Sequence, residues 1–226
     1  MIDSLLGLLL LGDGRFPAGG HAHSAGVEAA IADGRVTDEA SLEAFVAARL
    51  ATVGLVDAAI AAATLTGPLD LDALRAVDAE ADARILVPAL RRSSRRLGRQ
   101  LARASGRCWP DAVFVTLAEA CPDGAHQSVA IGCAGSVIGA SADQIAALAL
   151  HHAATTPAQA GVRLLGLDPV GVAAIVARLA PLSAALAADA VAAARGPLTG
   201  LPASSSPMVD IAATAHAAWE TRHFAT

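Results

Sequence analysis

The chain contains no lysine, no tyrosine and no asparagine. A Walker A phosphate lysine, a Schiff-base lysine and a pyridoxal anchor each need a primary amine on a long stem, so three chemistries are excluded at once. Aromatic residues make up 3% of the chain and charged residues 16%, against a usual charged share of about 25%. The cysteines, Cys108, Cys121 and Cys133, are odd in number and form no C-x-x-C pair. They spell neither a disulfide framework nor a zinc knuckle, and a reducing cytoplasm is the setting they suggest. A net charge of −5 and a pI near 5.7 remove the strongly basic surface that nucleic-acid binding normally demands.

What fills the chain instead is alanine, 58 of 226 residues. Alanine and leucine are the best helix formers, apolar residues recur at spacings of three and four, and no period-two alternation marks a strand. These features predict an all-α bundle in one domain over residues 1–226. Residues 1–195 read as the helical core, 196–207 (GPLTGLPASSSP) as a linker, and 208–226 as a C-terminal helix and tail. The mean hydropathy of +0.52 comes mostly from alanine. The most apolar stretch, Val129 to Ala142, is too short for a bilayer, which needs about 20 apolar residues, so no membrane partner is expected. The opening MIDSLLGLLLLGDG places Asp3 where a secretory signal carries positive charge and reads as a buried first helix.

Within the core, Ser24 reads as the cap of a short helix ending at Gly34, and Thr37 as the start of the next, with a break at Gly54. Gly132, Gly135 and Gly139 fall on one side of a nearly uncharged helix, which lets a neighbouring backbone come close. Further helices are expected at about 142–155, 157–165 and 169–195.

Four groups of residues could carry chemistry. Ala22-His23-Ser24-Ala25-Gly26 approximates a nucleophile elbow, which offers a small serine hydrolase using Ser24 and His23, with Asp13 or Glu28 as orienter. That elbow needs a buried strand before the serine, and two glycines and a proline stand there. His21 with His23, and His151 with His152, are imidazole pairs of the kind that bind nickel, copper or zinc. Neither has a carboxylate or thiolate at ligand spacing, and adjacent helical histidines diverge, so no metal site is assigned. Eight of the sixteen arginines fall between Arg84 and Arg107 with no acidic residue among them. Arg92, Arg96, Arg99 and Arg103 share one helical stripe, a basic face for solvent, an acidic protein or nucleic acid. The tail, with Met208, Val209, Trp219 and Phe224, is either a partner hook or a last helix that closes the core.

The segment LLLLGDGRFPAGGHAHSAGVE, with Asp13, Pro17, Gly19, Gly20, His23, Ser24, Gly26 and Glu28, resembles the N-terminal signature of the urease accessory proteins called UreF. The similarity continues through RRSSRRLGRQL, AGVRLLGL, and Pro207, Asp210, His216, Arg222 and Phe224. The resemblance implies an all-α, non-enzymatic helper without a cofactor of its own. By the same resemblance it forms a homodimer and works with UreD (also called UreH) and the GTPase UreG to deliver nickel to apo-urease. It puts Glu28, the turn from Pro17 through His21 to His23, and Arg222 on the surface serving the GTPase, with the C-terminal helix engaging partners. As polar residues Glu28 and Arg222 read as exposed, so alanine at either should leave the fold intact. His21, His223 and Asp168-Pro169 depart from the commoner family residues.

Overall fold

Alanine helices have thin walls, so their axes can approach closely, and the helix with the most consecutive buried alanines should lie at the centre. The computed structural model describes residues 4–217, 219 and 223–224, without the side chains of residues 21 and 217. Its central element is α4 (Leu55–Thr66), in which every residue from Ala58 to Thr64 is buried. Three helices enclose it: α8 (Gln127–Ile138), α9 (Ala142–Leu165) and α11 (Ala180–Ala194). A helix apolar all round belongs in such a position. Thr64, its one hydroxyl in this run, donates back to the Ile60 carbonyl at 2.8 Å and so brings no unpaired group into the core.

The remaining helices wrap this centre: α1 (Ser4–Gly12), α2 (Val27–Ala32), α3 (Glu39–Arg49), α5 (Leu71–Arg84), α6 (Pro88–Cys108), α7 (Ala112–Ala120), α10 (Pro169–Arg178) and α12 (Pro207–Ala217). The fold is all-α, with no β-sheet among the described residues. Asp38, Asp70, Asp111, Ser141 and Asp168 each cap the helix that follows by accepting a backbone N–H.

The glycine face works through Gly132 and Gly135. A Cβ on Gly132 would lie 2.6 Å from the Ala61 carbonyl oxygen, so α8 lies directly on α4, and one on Gly135 would meet the Ile145 side chain of α9 as well as a Leu65 methyl of α4 at 2.8 Å. Gly139 does something else: at φ 70° it ends α8 in the left-handed conformation.

Several expectations are corrected. The first helix is not buried: Leu5, Leu6, Leu9 and Leu10 are 43–63% exposed, and α1 meets the core through Gly7 and Leu11. Ser24 does not cap α2. Ala25 (φ 53°) and Gly26 (φ 91°) are both left-handed, which starts the helix from Gly26 and leaves the Ser24 side chain buried behind it. Asp38, not Thr37, opens α3. The expected break at Gly54 is a π-helical turn, Leu50–Gly54, that joins α3 and α4 into one run over Glu39–Thr66. Among the described residues this run, rather than Val129 to Ala142, is the single helix long and apolar enough to cross a membrane, and its second half, α4, is the core helix of the bundle. The two helices expected around Pro157 are the single helix α9: Pro157 forfeits one backbone bond while buried Ala153, Ala154 and Ala158 hold the axis in place. Conversely 169–195 divides at Leu179, just before Pro181, into α10 and α11. The linker is not free in its first half. A 3-10 turn at Leu198–Gly200 and buried Leu201 are held by the Arg84 guanidinium, which donates to the carbonyls of Leu198 (3.1 Å), Leu201 (3.1 Å) and Pro202 (2.9 Å).

Candidate functional site

The glycine-rich loop after α1 folds on its own side chains first. Arg15 donates to Asp13 through backbone (2.9 Å) and guanidinium (2.7 Å), and this pairing holds the Asp13 carboxyl down at about 2. Phe16 stacks on Trp109 at the end of α6, centroids 6.3 Å apart, and pins the loop to that helix. Exposed Pro17 follows, then Gly19 at φ 83°, whose missing Cβ leaves room for the Gln100 side chain. Gly20 begins a 3-10 turn through Ala22. The chain thereby delivers His23 into the interior against α6.

His23 has Ser93 Oγ at 3.1 Å from Nδ1 and the Arg96 guanidinium at 3.2 Å from Nε2. A guanidinium can only donate, so Nε2 accepts and Nδ1–H faces Ser93: the ring is a neutral strut between the loop and α6. This removes the hydrolase arrangement. Both nitrogens that could serve Ser24 point to α6, Ser24 is 1% exposed, and Asp13 is committed to Arg15.

Glu28 overturns the expectation of exposure, being 5% exposed. One carboxylate oxygen accepts from His216 Nε2 on α12 at 2.9 Å and from the Phe224 N–H at 3.2 Å; the other accepts from the His223 N–H at 2.8 Å. Glu28 therefore clamps the last turn of α12 and the tail onto the N-terminal segment. Phe224 is buried below the Arg163 guanidinium, 5.7 Å from its ring centroid, and the His216 ring lies tilted on Trp219 at 4.6 Å. Here the tail closes the core instead of standing free. Asp210, half-buried on α12, has its pKa raised by burial. Arg222 and the His21 side chain lie outside the described residues.

Behind His23 is a partly open pocket of about 150 Å³ whose polar lining includes Arg49, Asp57, Gln127, Ser128, His152 and Asp210. A surface cleft of about 430 Å³ lies on its other side, and His23, Gln127, His152 and Thr156 line both. Arg49 and Asp57 flank the π turn, which aims both at this space. Burial lowers the Arg49 pKa and pushes the Asp57 carboxyl up to about 6 against the pull of Arg49. His152 donates Nε2–H to the Leu11 carbonyl at 3.0 Å, while buried Nδ1 has no partner among the described residues. Burial takes its pKa down to about 4. His151, its neighbour, is exposed, so the pair shares no ion. Among the described residues no three His, Cys, Asp or Glu side chains converge as metal ligands.

Buried His126 carries a second polar network. Its backbone N–H reaches Asp78 (2.8 Å), its ring lies 3.1 Å from both Asp82 and Ser94, and Arg95 pairs with Asp78 and Asp82 at 2.8 Å. Burial lowers the His126 pKa. The His126 network was not legible in advance, since it joins residues up to 48 apart in sequence, and the pair Arg49 and Asp57 was missed as well. A lone charge inside an apolar run, as at Arg49 and Asp57, is the signal that could have found the latter.

The signature loop, Glu28 and the C-terminal residues thus form one connected structure. Comparison with known proteins bears on the same segments. A family model described as UreF matches residues 36–180. The urease accessory protein UreF of Mycolicibacterium vanbaalenii is 41% identical over 225 residues, covering all of both chains. That of Mycobacterium marinum is 40% identical over the same length, and that of Mycobacterium tuberculosis 39% over 215 residues, 95% of each chain. The chain belongs to the UreF family. Full-length similarity to UreF proteins takes in the loop and the tail, which the family match over 36–180 does not reach. UreF proteins are non-catalytic accessory proteins, in keeping with a His23 engaged as a strut.

Proposed function

We propose that this chain assists nickel insertion into apo-urease without catalysing a reaction, as a homodimeric scaffold that links UreD (UreH) to the GTPase UreG. Membership of the UreF family, with relatives named urease accessory proteins aligned along the whole chain, is the observation that carries this reading. The clamp at Glu28 supports it, because it joins the signature loop and the C-terminal helix into one surface to which both ends of the chain contribute. Pro17, Gly19, Gly20, His21, His23, Ser24, Asp210, His216, Arg222 and Phe224 belong to that partner surface or its support. In this reading exposed Pro17 and its neighbours touch a partner, while Glu28, His23 and His216 act from beneath by fixing its shape.

The test is the nickel content and activity of urease purified from cells with the full accessory set, with this chain present or deleted. Nickel-poor, inactive urease on deletion, restored by supplying the chain, is the expected result. Fully loaded urease without it refutes the reading.

A further inference from the structure

Seven of the eight arginines between 84 and 107 divide into two populations; the eighth, Arg107, is exposed in the last turn of α6. Arg84, at the end of α5, and Arg91 and Arg95, which turn toward α5, are neutralised there: Arg84 pairs with Glu80, Arg91 with Asp82 at 3.5 Å, and Arg95 with Asp78 and Asp82 at 2.8 Å. Arg92, Arg96, Arg99 and Arg103 point outward along one stripe of α6 and are exposed. None of these four has a carboxylate within ion-pair distance among the described residues.

Two of the four are nevertheless held in place, and by neutral acceptors. Arg96 donates to His23 Nε2, and Arg99 to the Asp123 carbonyl oxygen. The turn from Cys121 to Gly124 is clamped against the helix by Arg95, which donates to the Gly124 carbonyl at 2.8 Å. At Gly124, φ 88°, a Cβ would lie 2.8 Å from the Arg95 carbonyl oxygen and 2.9 Å from Arg99 Nε, so the close approach that fixes Arg99 depends on glycine. Between the turn and α6 is an open cleft of about 610 Å³ lined by Arg92, Arg95, Arg96, Arg99 and Asp123, together with Asp78, whose carboxylate is already paired with Arg95. The charge of Arg96 and Arg99 is thus oriented and left uncompensated, in a chain whose net charge is −5.

We propose that this stripe is a docking surface for an acidic polypeptide segment of a partner protein, its carboxylates engaging Arg92, Arg96, Arg99 and Arg103. From Arg92 to Arg103 the stripe is about 16 Å long at the helical rise, more than one small anion spans and well matched to a short run of glutamates or aspartates. Asp123 at the rim and the acidic remainder of the surface oppose a long polyanion such as nucleic acid. Docking relieves the mutual repulsion of four like charges set three and four residues apart on one helix face. The proposal stands on α6 and its turn and does not depend on the urease reading.

Fluorescence anisotropy of a labelled octaglutamate peptide titrated with the full-length chain at low ionic strength tests it. Arg92 and Arg103 make no hydrogen bond or ion pair among the described residues, so Arg92→Glu/Arg103→Glu should keep the wild-type circular dichroism and melting temperature. That double variant should bind the peptide at least tenfold more weakly. Arg75→Glu, an exposed arginine of α5 off the stripe, should bind within twofold of wild type. No binding to the wild-type chain, equal binding by the double variant, or an equal loss in Arg75→Glu overturns the proposal. So does tighter binding of a single-stranded oligonucleotide of equal charge, which would make the stripe a nucleic-acid surface.

Discussion

At the scale of single residues, burial decides what the polar groups do. Glu28 reads as exposed because it is charged, yet it is buried and its two oxygens satisfy one imidazole and two backbone N–H groups of the C-terminal end. Glu28→Ala leaves those donors buried without an acceptor, at a cost of about 1–3 kcal/mol confined to the tail. Hydrogen exchange should therefore speed up in α12 while α4 and α8 keep their protection; equal acceleration in α4 would make Glu28 a support of the whole fold. His152 takes up its proton at lower pH than an ordinary histidine, because burial disfavours the charged ring. Its folded pKa of about 4 lies below the ordinary 6.5, so its neutral form is the one the fold favours. The associated stability is complete above pH 6.5 and is lost as pH falls through 4. Asp57, raised to about 6, works in reverse, its contribution being full below pH 3.8 and lost as pH rises through 6. Between pH 7 and pH 4 the wild-type chain should lose on the order of 2 kcal/mol more than His152→Gln, read by urea unfolding at each pH. Parallel losses would show that His152 is not the titrating group.

At the scale of elements, small residues set how closely helices approach. Gly132 was legible from the glycine spacing, because a glycine on an uncharged helix lets a neighbouring backbone come close, and the Ala61 carbonyl does so; Gly135 instead makes room for the Ile145 and Leu65 side chains. Gly135→Leu forces a side chain into the space held by Leu65 and Ile145 and should destabilise the chain by about 1–3 kcal/mol, a fall of several degrees in Tm. An unchanged Tm would refute close packing of α8 on α4. Where elements began and ended was less legible. The Ser24 cap failed because Ala25 and Gly26 both adopt positive φ, and the break expected at Pro157 failed because buried neighbours outweigh one lost hydrogen bond. Local propensity is worth up to about 1 kcal/mol for most residues and about 3 for a helical proline, and the burial of several side chains exceeds either.

At the scale of the whole molecule, the two ends of the chain meet through contacts that no local pattern announces. Arg84 ties α5 to the segment leading into α12 through three backbone carbonyls and Glu80. Arg84→Ala should cost about 2 kcal/mol, and the cut should fall near Ser204 to Ser206 when limited proteolysis is applied. A digestion pattern identical to wild type would show that the segment is held by Leu201 alone.

The sequence by itself determined the helical class, the buried, nearly uncharged helix α8 with its close contact at Gly132, and the family. Each of these depends on composition, on a period along one helix, or on a contiguous motif. Only the tertiary structure decided that Glu28 is a buried clamp, that His23 is a neutral strut, that Arg49, Asp57 and His152 face one pocket, and which arginines are neutralised. Those outcomes depend on partners up to 196 residues away, as between Glu28 and Phe224, and on the desolvation that folding imposes. A charged residue carries the same letter in either environment, and its role is fixed by what the fold places beside it.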